Sequence, residues 1–301
     1  MTMGRAPVNK SELTELFRQI DFHPSPKLGQ NFLIDPNMRR AIVEAADLDE
    51  HDVVLEIGPG TGALTGLLCE QAGEVVAVEL DHTLFEIVEE YLGDASNLTL
   101  IQGDVVAKHH EINPEVIRAV RLCVAQSPRR GLKVVSDLPY SASTPAIVAL
   151  MTGDLPVALM ILTVQKEIAD RIAAEPGTKD YGLLSVTVQA GAEVSLLRKL
   201  PPDVFWPRPK VSSAVIEIRP MAAMMDRIAD RKTFSDVAHI LFTHRRKTVS
   251  NCFKVAGQFD LGVDSARLLD QCGIDPKERG GTLTVEQIID LANTATEWKN
   301  P

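Results

Sequence analysis

Three acidic side chains each close a β-rich run where they could hold part of one ligand. The apolar run Val53-Val54-Leu55-Glu56-Ile57 enters Gly58-Pro59-Gly60-Thr61-Gly62 and then a helical segment, residues 63–71. Glycines let a backbone approach a ligand and adopt angles closed to other residues. Taken alone, the turn also reads as an ordinary strand-to-helix connection. Glu79 ends the next β-rich run, where a carboxylate can accept both hydrogen bonds of a ribose diol. Asp104, after Gly103 and the third run, stands where an acid can accept from an adenine amine. The third glycine comes one position early for the dinucleotide pattern G-x-G-x-x-G, and no Gly-Lys-Ser/Thr occurs. The spacing therefore favours an adenosyl ligand without a pyrophosphate to cradle.

After the fourth run comes Ser136-Asp137-Leu138-Pro139-Tyr140-Ser141-Ala142-Ser143-Thr144-Pro145. An acceptor side chain, a stiff proline and an aromatic suit the presentation of a planar amine to an electrophile. Pro139 would let the Leu138 carbonyl face a pocket, and Tyr140, among only three tyrosines, could stack on a base. A plain turn with a core tyrosine is the competing reading of these four residues.

The elements that must position these groups follow from periodicity. Short β-rich runs at Val53–Ile57, 75–78, Leu98–Gln102, 133–136, 158–164, 184–189 and 214–218 alternate with helix-length segments. Such alternation predicts an α/β fold, a mostly parallel sheet covered by helices. The last two runs, close together among prolines and glycines, are expected to pair antiparallel at one sheet edge. Residues 1–26 read as a loose or helical arm and 27–220 as the α/β domain. Residues 221–301 read as a small all-helical domain, because apolar residues from Phe234 to Leu291 recur at helical spacing. Thr284 and Gln287 fit a capping box opening the last helix.

The 301 residues are 45% hydrophobic and 24% charged, which excludes disordered, collagen-like and disulfide-scaffold classes. No apolar run is long enough to span a membrane. Cys69, Cys123, Cys252 and Cys272 form no CxxC pair, and no metal site is expected. The opening residues lack a secretory apolar stretch, so a cytoplasmic protein is expected. The net charge of −10 argues against unspecific nucleic-acid binding, yet residues 222–301 hold 11 basic and 11 acidic side chains and are locally more basic than the whole.

The glycine turn with acids after the second and third runs resembles the class I S-adenosylmethionine-dependent methyltransferases, a Rossmann-like fold. Further segments narrow the match: Lys27-Leu-Gly-Gln-Asn-Phe-Leu33, Glu56-Ile-Gly-Pro-Gly-Thr-Gly-Ala-Leu-Thr65, Pro176-Gly-Thr-Lys-Asp-Tyr-Gly182, Phe205-Trp-Pro-Arg-Pro-Lys-Val-Ser-Ser213, and Arg245-Arg-Lys247 with Asn251. Over residues 27–292 the chain resembles the ribosomal RNA adenine N6-dimethyltransferases. The resemblance implies dimethylation of two adjacent adenosines in the 3′-terminal hairpin loop of small-subunit rRNA, with S-adenosylmethionine as donor. It further implies a preassembled small ribosomal subunit as partner, a role in subunit biogenesis, no membrane association and a monomeric enzyme. It carries Asn31, Leu33, Gly58, Glu79, Asp104 and Asp137 over as cofactor contacts, with Gly60 from the glycine turn. Asp137, Leu138, Pro139 and Tyr140 become the target-base motif, and Arg245, Arg246 and Lys247 rRNA contacts.

Two departures stand out. The family usually has Asn where this chain has Asp137, an anionic acceptor that would lose function if burial protonated it. Residues 109–132 are longer than expected, and Arg118, Arg121, Arg129, Arg130 and Lys133 fall in a stretch without acids, as either a solvated face or an RNA contact. The His109-His110 pair reads as surface. The alternatives are a large-subunit rRNA adenine methyltransferase and a catalytically weak or inactive ribosome-assembly or transcription factor of the same fold.

Overall fold

Val53–Ile57 (β2) is buried at every position and lies inside a seven-stranded sheet, as a continuous apolar run should in a sheet covered on both faces. The computed structural model describes residues 6–7, 9–107, 111–127, 131–259 and 261–299. Two compact units divide it: residues 1–169 with 195–219, and residues 170–194 with 220–301.

The first unit opens with helix α1 (Lys10–Gln19), strand β1 (Phe32–Leu33) and helix α2 (Pro36–Ala45) ahead of β2. It continues through α3 (Ala63–Cys69), β3 (Glu74–Glu79), α4 (His82–Leu92), β4 (Leu98–Gln102), α5 (Pro114–Gln126), β5 (Leu132–Asp137), α6 (Ser143–Thr152) and β6 (Val157–Gln165). Helices α7 (Lys166–Ile172) and α8 (Leu183–Gln189) precede strands β7 (Ala192–Leu200), β8 (Phe205–Trp206) and β9 (Ser213–Pro220). The strand order is β4-β3-β2-β5-β6-β9-β7. β4 through β6 are parallel and β9 runs antiparallel to β6, the α/β sheet with an antiparallel edge that the sequence implied.

One element differs from expectation. Residues 184–189 form helix α8, although Val186, Thr187 and Val188 favour strands. Leu184, Ser185, Val186 and Val188 are all buried, the Ser185 hydroxyl accepts from the Gly182 N–H, and Gln189 Nε2 donates to the carbonyls of Ile172 and Ala174. Tertiary packing overrides a propensity difference of under about 1 kcal/mol per residue. The edge strand is instead β7, whose mostly exposed side chains hide the usual alternation.

The arm at 1–26 is tied down where it is described. Asn9 caps α1 through the Glu12 N–H, and Leu13 and Phe17 are buried. Phe17 lies 5.2 Å from Phe32 and 5.9 Å from Trp206, ring centre to ring centre, so the helix covers the small β1–β8 ladder.

In the second unit α8 is joined by α9 (Ala222–Met225), α10 (Arg231–Thr243), α11 (Val249–Lys254), α12 (Ser265–Gln271) and α13 (Val285–Lys299). Phe234, Val237, Leu241, Leu268, Ile288 and Leu291 belong to its core, as helical periodicity required. Residues 170–194 belong to this unit together with 220–301, and Tyr181 helps to tie them in, its hydroxyl donating to the Leu283 carbonyl at 3.0 Å. Thr284 and Gln287 exchange the expected reciprocal cap. Among the described residues no helix is long and apolar enough to cross a membrane.

Candidate active site

The carboxyl ends of β2, β3 and β5 open into one cavity, where an open α/β sheet places its ligand. Its wall includes Asn31, Leu33, Gly58, Gly60, Glu79, Asp104, Asp137 and Pro139, and so unites every expected cofactor residue with half of the target-base motif.

The glycine turn has the conformation its sequence demands. Gly58, Gly60 and Gly62 have φ of 72°, 61° and 82°. A Cβ at Gly58 would lie 2.6 Å from Pro139 Cγ, and one at Gly60 3.1 Å from the Phe32 ring. The turn after β2 thus lies against the loop after β5 with no room for a side chain. Ser136, buried one residue before Asp137, fixes this approach by donating to the Ile57 carbonyl at 2.6 Å.

Glu79 is buried and spans two backbones: Oε2 accepts from the Gly60 N–H at 3.0 Å and Oε1 from the Asp81 N–H at 2.9 Å. Burial nevertheless pushes its carboxyl up to about 7. Asp104 is exposed, lines the cavity and accepts from the Val106 N–H at 2.9 Å. The amide of Asn31 donates to the Gly29 carbonyl at 3.3 Å.

Asp137 ends β5 half-buried. Burial raises its carboxyl to about 7, against the opposing pull of the Leu33 N–H, the Arg39 guanidinium and the Thr163 hydroxyl. Leu138 is buried and its N–H donates to the Thr163 carbonyl at 3.1 Å. The carbonyl of Pro139 receives the Ala142 and Ser143 N–H groups and so starts α6. Tyr140 lies beside the cavity, half-buried, its hydroxyl 2.6 Å from Ser213 Oγ.

Glu56 and Arg39 also line the cavity, although neither was among the expected site residues. Glu56 is 1% exposed, its Oε2 has no hydrogen-bond partner, and burial lifts its carboxyl to about 8, with the charges of Glu79 and Asp137 adding to the shift. A glutamate inside an otherwise apolar strand was a signal available in the sequence. Arg39 carried none, since it looks like any helix-surface arginine. Three raised carboxyls around one cavity make a site that gains from a cationic ligand. Glycine backbone, the Glu79 acceptors and an unpartnered buried carboxylate oxygen together fit an adenosyl sulfonium donor.

The basic run Arg245-Arg246-Lys247 forms the turn between α10 and α11 and not a helix face. All three are exposed, yet Arg245 Nη2 donates to the carbonyls of Lys179 and Tyr181 at 2.8 and 2.6 Å. Arg245 is thereby a tether for the loop before α8. Lys133 is likewise structural, bonded to Asp52 Oδ2 at 2.9 Å and to the carbonyls of Ala46 and Asp47. Arg118 and Arg121 are exposed on α5, while His109, His110, Arg129 and Arg130 lie outside the described residues.

Comparison with known proteins agrees with this geometry. The family described as ribosomal RNA adenine dimethylase matches residues 22–297. A ribosomal RNA small subunit methyltransferase A of Halothermothrix orenii is 38% identical over 284 residues, covering 93% of this chain and 91% of that one. Its counterpart in Lactococcus lactis is 37% identical, covering 95% and 94%. A dimethyladenosine transferase from Plasmodium falciparum has the same fold, with a TM-score of 0.70, 22% identity and coverage of 87% and 96%. The 23S rRNA methyltransferase ErmE shares the fold at a TM-score of 0.57 and 23% identity, covering 88% and 99%.

Proposed function

The chain belongs to the ribosomal RNA adenine dimethylase family, and from that premise we propose that it dimethylates the N6 amines of two adjacent adenosines in the 3′-terminal hairpin loop of small-subunit rRNA. The carrying observation is the single cavity in which Glu79 and the glycine turn face Asp137 and Pro139. S-adenosylmethionine, when bound, supplies a methyl group activated by a sulfonium centre. Glu79 would take the ribose hydroxyls, Asp104 the adenine amine, and Asn31, Leu33, Gly58 and Gly60 the remaining contacts of the donor.

An adenine amine is a weak nucleophile because its lone pair is delocalised into the ring. On this reading the Asp137 carboxylate and the Leu138 carbonyl accept its two hydrogens and direct the lone pair at the methyl group. The Asp137 charge also offsets the positive charge that builds on nitrogen. No base must act beforehand, because the proton leaves once the nitrogen is cationic. Pro139 stiffens the loop and Tyr140 stacks on the target base.

The partner is a preassembled small subunit, on which a monomer acts in the cytoplasm during subunit biogenesis; Arg246 and Lys247 supply phosphate contacts and Arg245 holds the loop beside them. Unmethylated small subunits incubated with labelled S-adenosylmethionine test this. Label in N6,N6-dimethyladenosine is the expected outcome, and its absence would point to a factor that keeps the fold without turnover.

A further inference from the structure

We propose that Arg39 is a positioning residue for the acceptor carboxylate of Asp137, acting through the backbone of Leu33 and through its own fixed charge. The proposal rests on the reading of Asp137 as the amine acceptor. α2 carries Arg39 inward, 4% exposed, while its neighbours Asn37 and Arg40 face solvent. Its Nη1 donates to the Leu33 carbonyl. The N–H of the same residue, Leu33, faces the Asp137 carboxyl and draws its pKa down, and Arg39, Leu33 and Asp137 line one cavity.

Strand geometry makes this arrangement directional. Alternate residues of a strand turn their amide groups to opposite edges. The Ile34 N–H reaches the Val204 carbonyl at 2.8 Å, so the polar groups of Leu33 point the other way, toward Arg39 and Asp137. The pairing of Leu33 with Phe205 holds that orientation. Arg39 therefore holds the carbonyl of the residue whose N–H faces Asp137.

Charge supplies the second part. The groups facing Asp137 are Arg39 from α2, Glu56 from β2, Tyr140 from its own loop and the Thr163 hydroxyl from β6. Arg39 itself is faced by Asp35, Arg40 and Glu12. Of the groups on Asp137, Arg39 is the cation, and a guanidinium keeps its proton at any working pH. An asparagine at position 137 would accept without a charge nearby; an aspartate whose surroundings favour the protonated form needs one. A protonated carboxyl would carry a hydrogen on one oxygen and lose the charge that offsets a cationic nitrogen.

The test compares the parent with Arg39→Gln, Arg39→Lys, Asp137→Asn and the Arg39→Gln/Asp137→Asn double variant. Carbon NMR follows the Asp137 carboxyl in the ligand-free proteins, and methylation of unmethylated small subunits is measured against pH. Arg39→Gln should raise the Asp137 midpoint by about one pH unit or more, the effect expected of a nearby opposite charge. The acid limb of kcat should move with it, and the KM for S-adenosylmethionine should stay within about threefold, as expected when only the transition state is affected. Arg39→Lys should restore the midpoint in part, and in the Asp137→Asn background Arg39→Gln should move no limb. An unchanged midpoint overturns the proposal, as does an equal limb shift in the Asp137→Asn background. Should Arg39→Gln fail to fold, the Arg39→Lys midpoint decides, a charge-retaining variant with the parent's value supporting the proposal and one shifted up by a full unit or more overturning it. A displaced midpoint in a protein whose parent never methylates would refute the methyltransfer reading and leave the Arg39–Asp137 pairing standing.

Discussion

The carboxylate of Glu79 accepts the backbone N–H of Gly60 at 3.0 Å, so the acid after β3 and the turn after β2 form one unit. Removing that side chain releases the turn and would remove the acceptors proposed for the ribose hydroxyls. Glu79→Ala should weaken S-adenosylmethionine binding by about 1.5–3 kcal/mol, the range for hydrogen bonds to a charged group. Calorimetry on the purified protein measures it, and unchanged affinity would remove Glu79 from the site.

Asp137→Asn should keep or raise activity, whereas Asp137→Ala should lose on the order of 10²–10³ in rate, because an amine needs an oriented acceptor more than it needs a charge. The parent carboxyl titrates near 7, so kcat/KM should rise with pH through that region. Asp137→Asn should flatten the rise. An Ala variant that turned over like the parent would end the acceptor assignment.

Glu56, raised to about 8, and Glu79 and Asp137, raised to about 7, hold protons in the folded protein that the unfolded chain has released. Their contribution to stability is therefore full below about pH 4.5 and is lost as pH rises through 7 and 8. A cationic donor reverses the penalty and expels protons on binding. S-adenosylmethionine affinity should rise from pH 6 to 8, more steeply than that of S-adenosylhomocysteine, which lacks the sulfonium charge. Calorimetry in two buffers of different ionisation enthalpy counts the protons, and identical pH profiles for the two ligands would contradict the account.

Arg245, tied to the carbonyls of Lys179 and Tyr181, should behave unlike its neighbours. Arg245→Ala should lower stability by about 0.5–1.5 kcal/mol, the net contribution of a hydrogen bond that water can partly replace. Arg246→Glu with Lys247→Glu should instead flatten the slope of log affinity against log salt by about 0.7–0.9 per lost phosphate contact, leaving S-adenosylmethionine binding intact. An unchanged slope would place the rRNA elsewhere.

Legibility followed burial. The strands that hold the site, Val53–Ile57 and Glu74–Glu79 among them, were readable because interior parallel strands are near-continuous apolar runs bounded by turns. The glycine turn, Glu79, Asp104 and Asp137 were readable because ligand chemistry demands particular residue types at strand ends. Residues 184–189 misled because β-branched side chains report local preference, while the packing of α8 in the helical unit decided its form. Arg39 and the Arg245 tether were illegible because their meaning lies in backbone carbonyls brought near by tertiary structure, which leave no pattern in the sequence.

The two-residue pairing of Phe32–Leu33 with Phe205–Trp206 also sets a schedule for biosynthesis. Every residue lining the cavity falls between Leu28 and Ala142, so the groups proposed to hold the donor leave the ribosome early. The segment carrying Asn31 and Leu33 lacks its partner strand until Trp206 follows, long after the glycine turn has emerged. A nascent chain arrested before that point should fail to retain S-adenosylmethionine, and one arrested once Trp206 and the β9 strand have cleared the exit tunnel should retain it, as measured on stalled ribosomes carrying each length. On that outcome the newly made enzyme would acquire its cofactor late in its own translation.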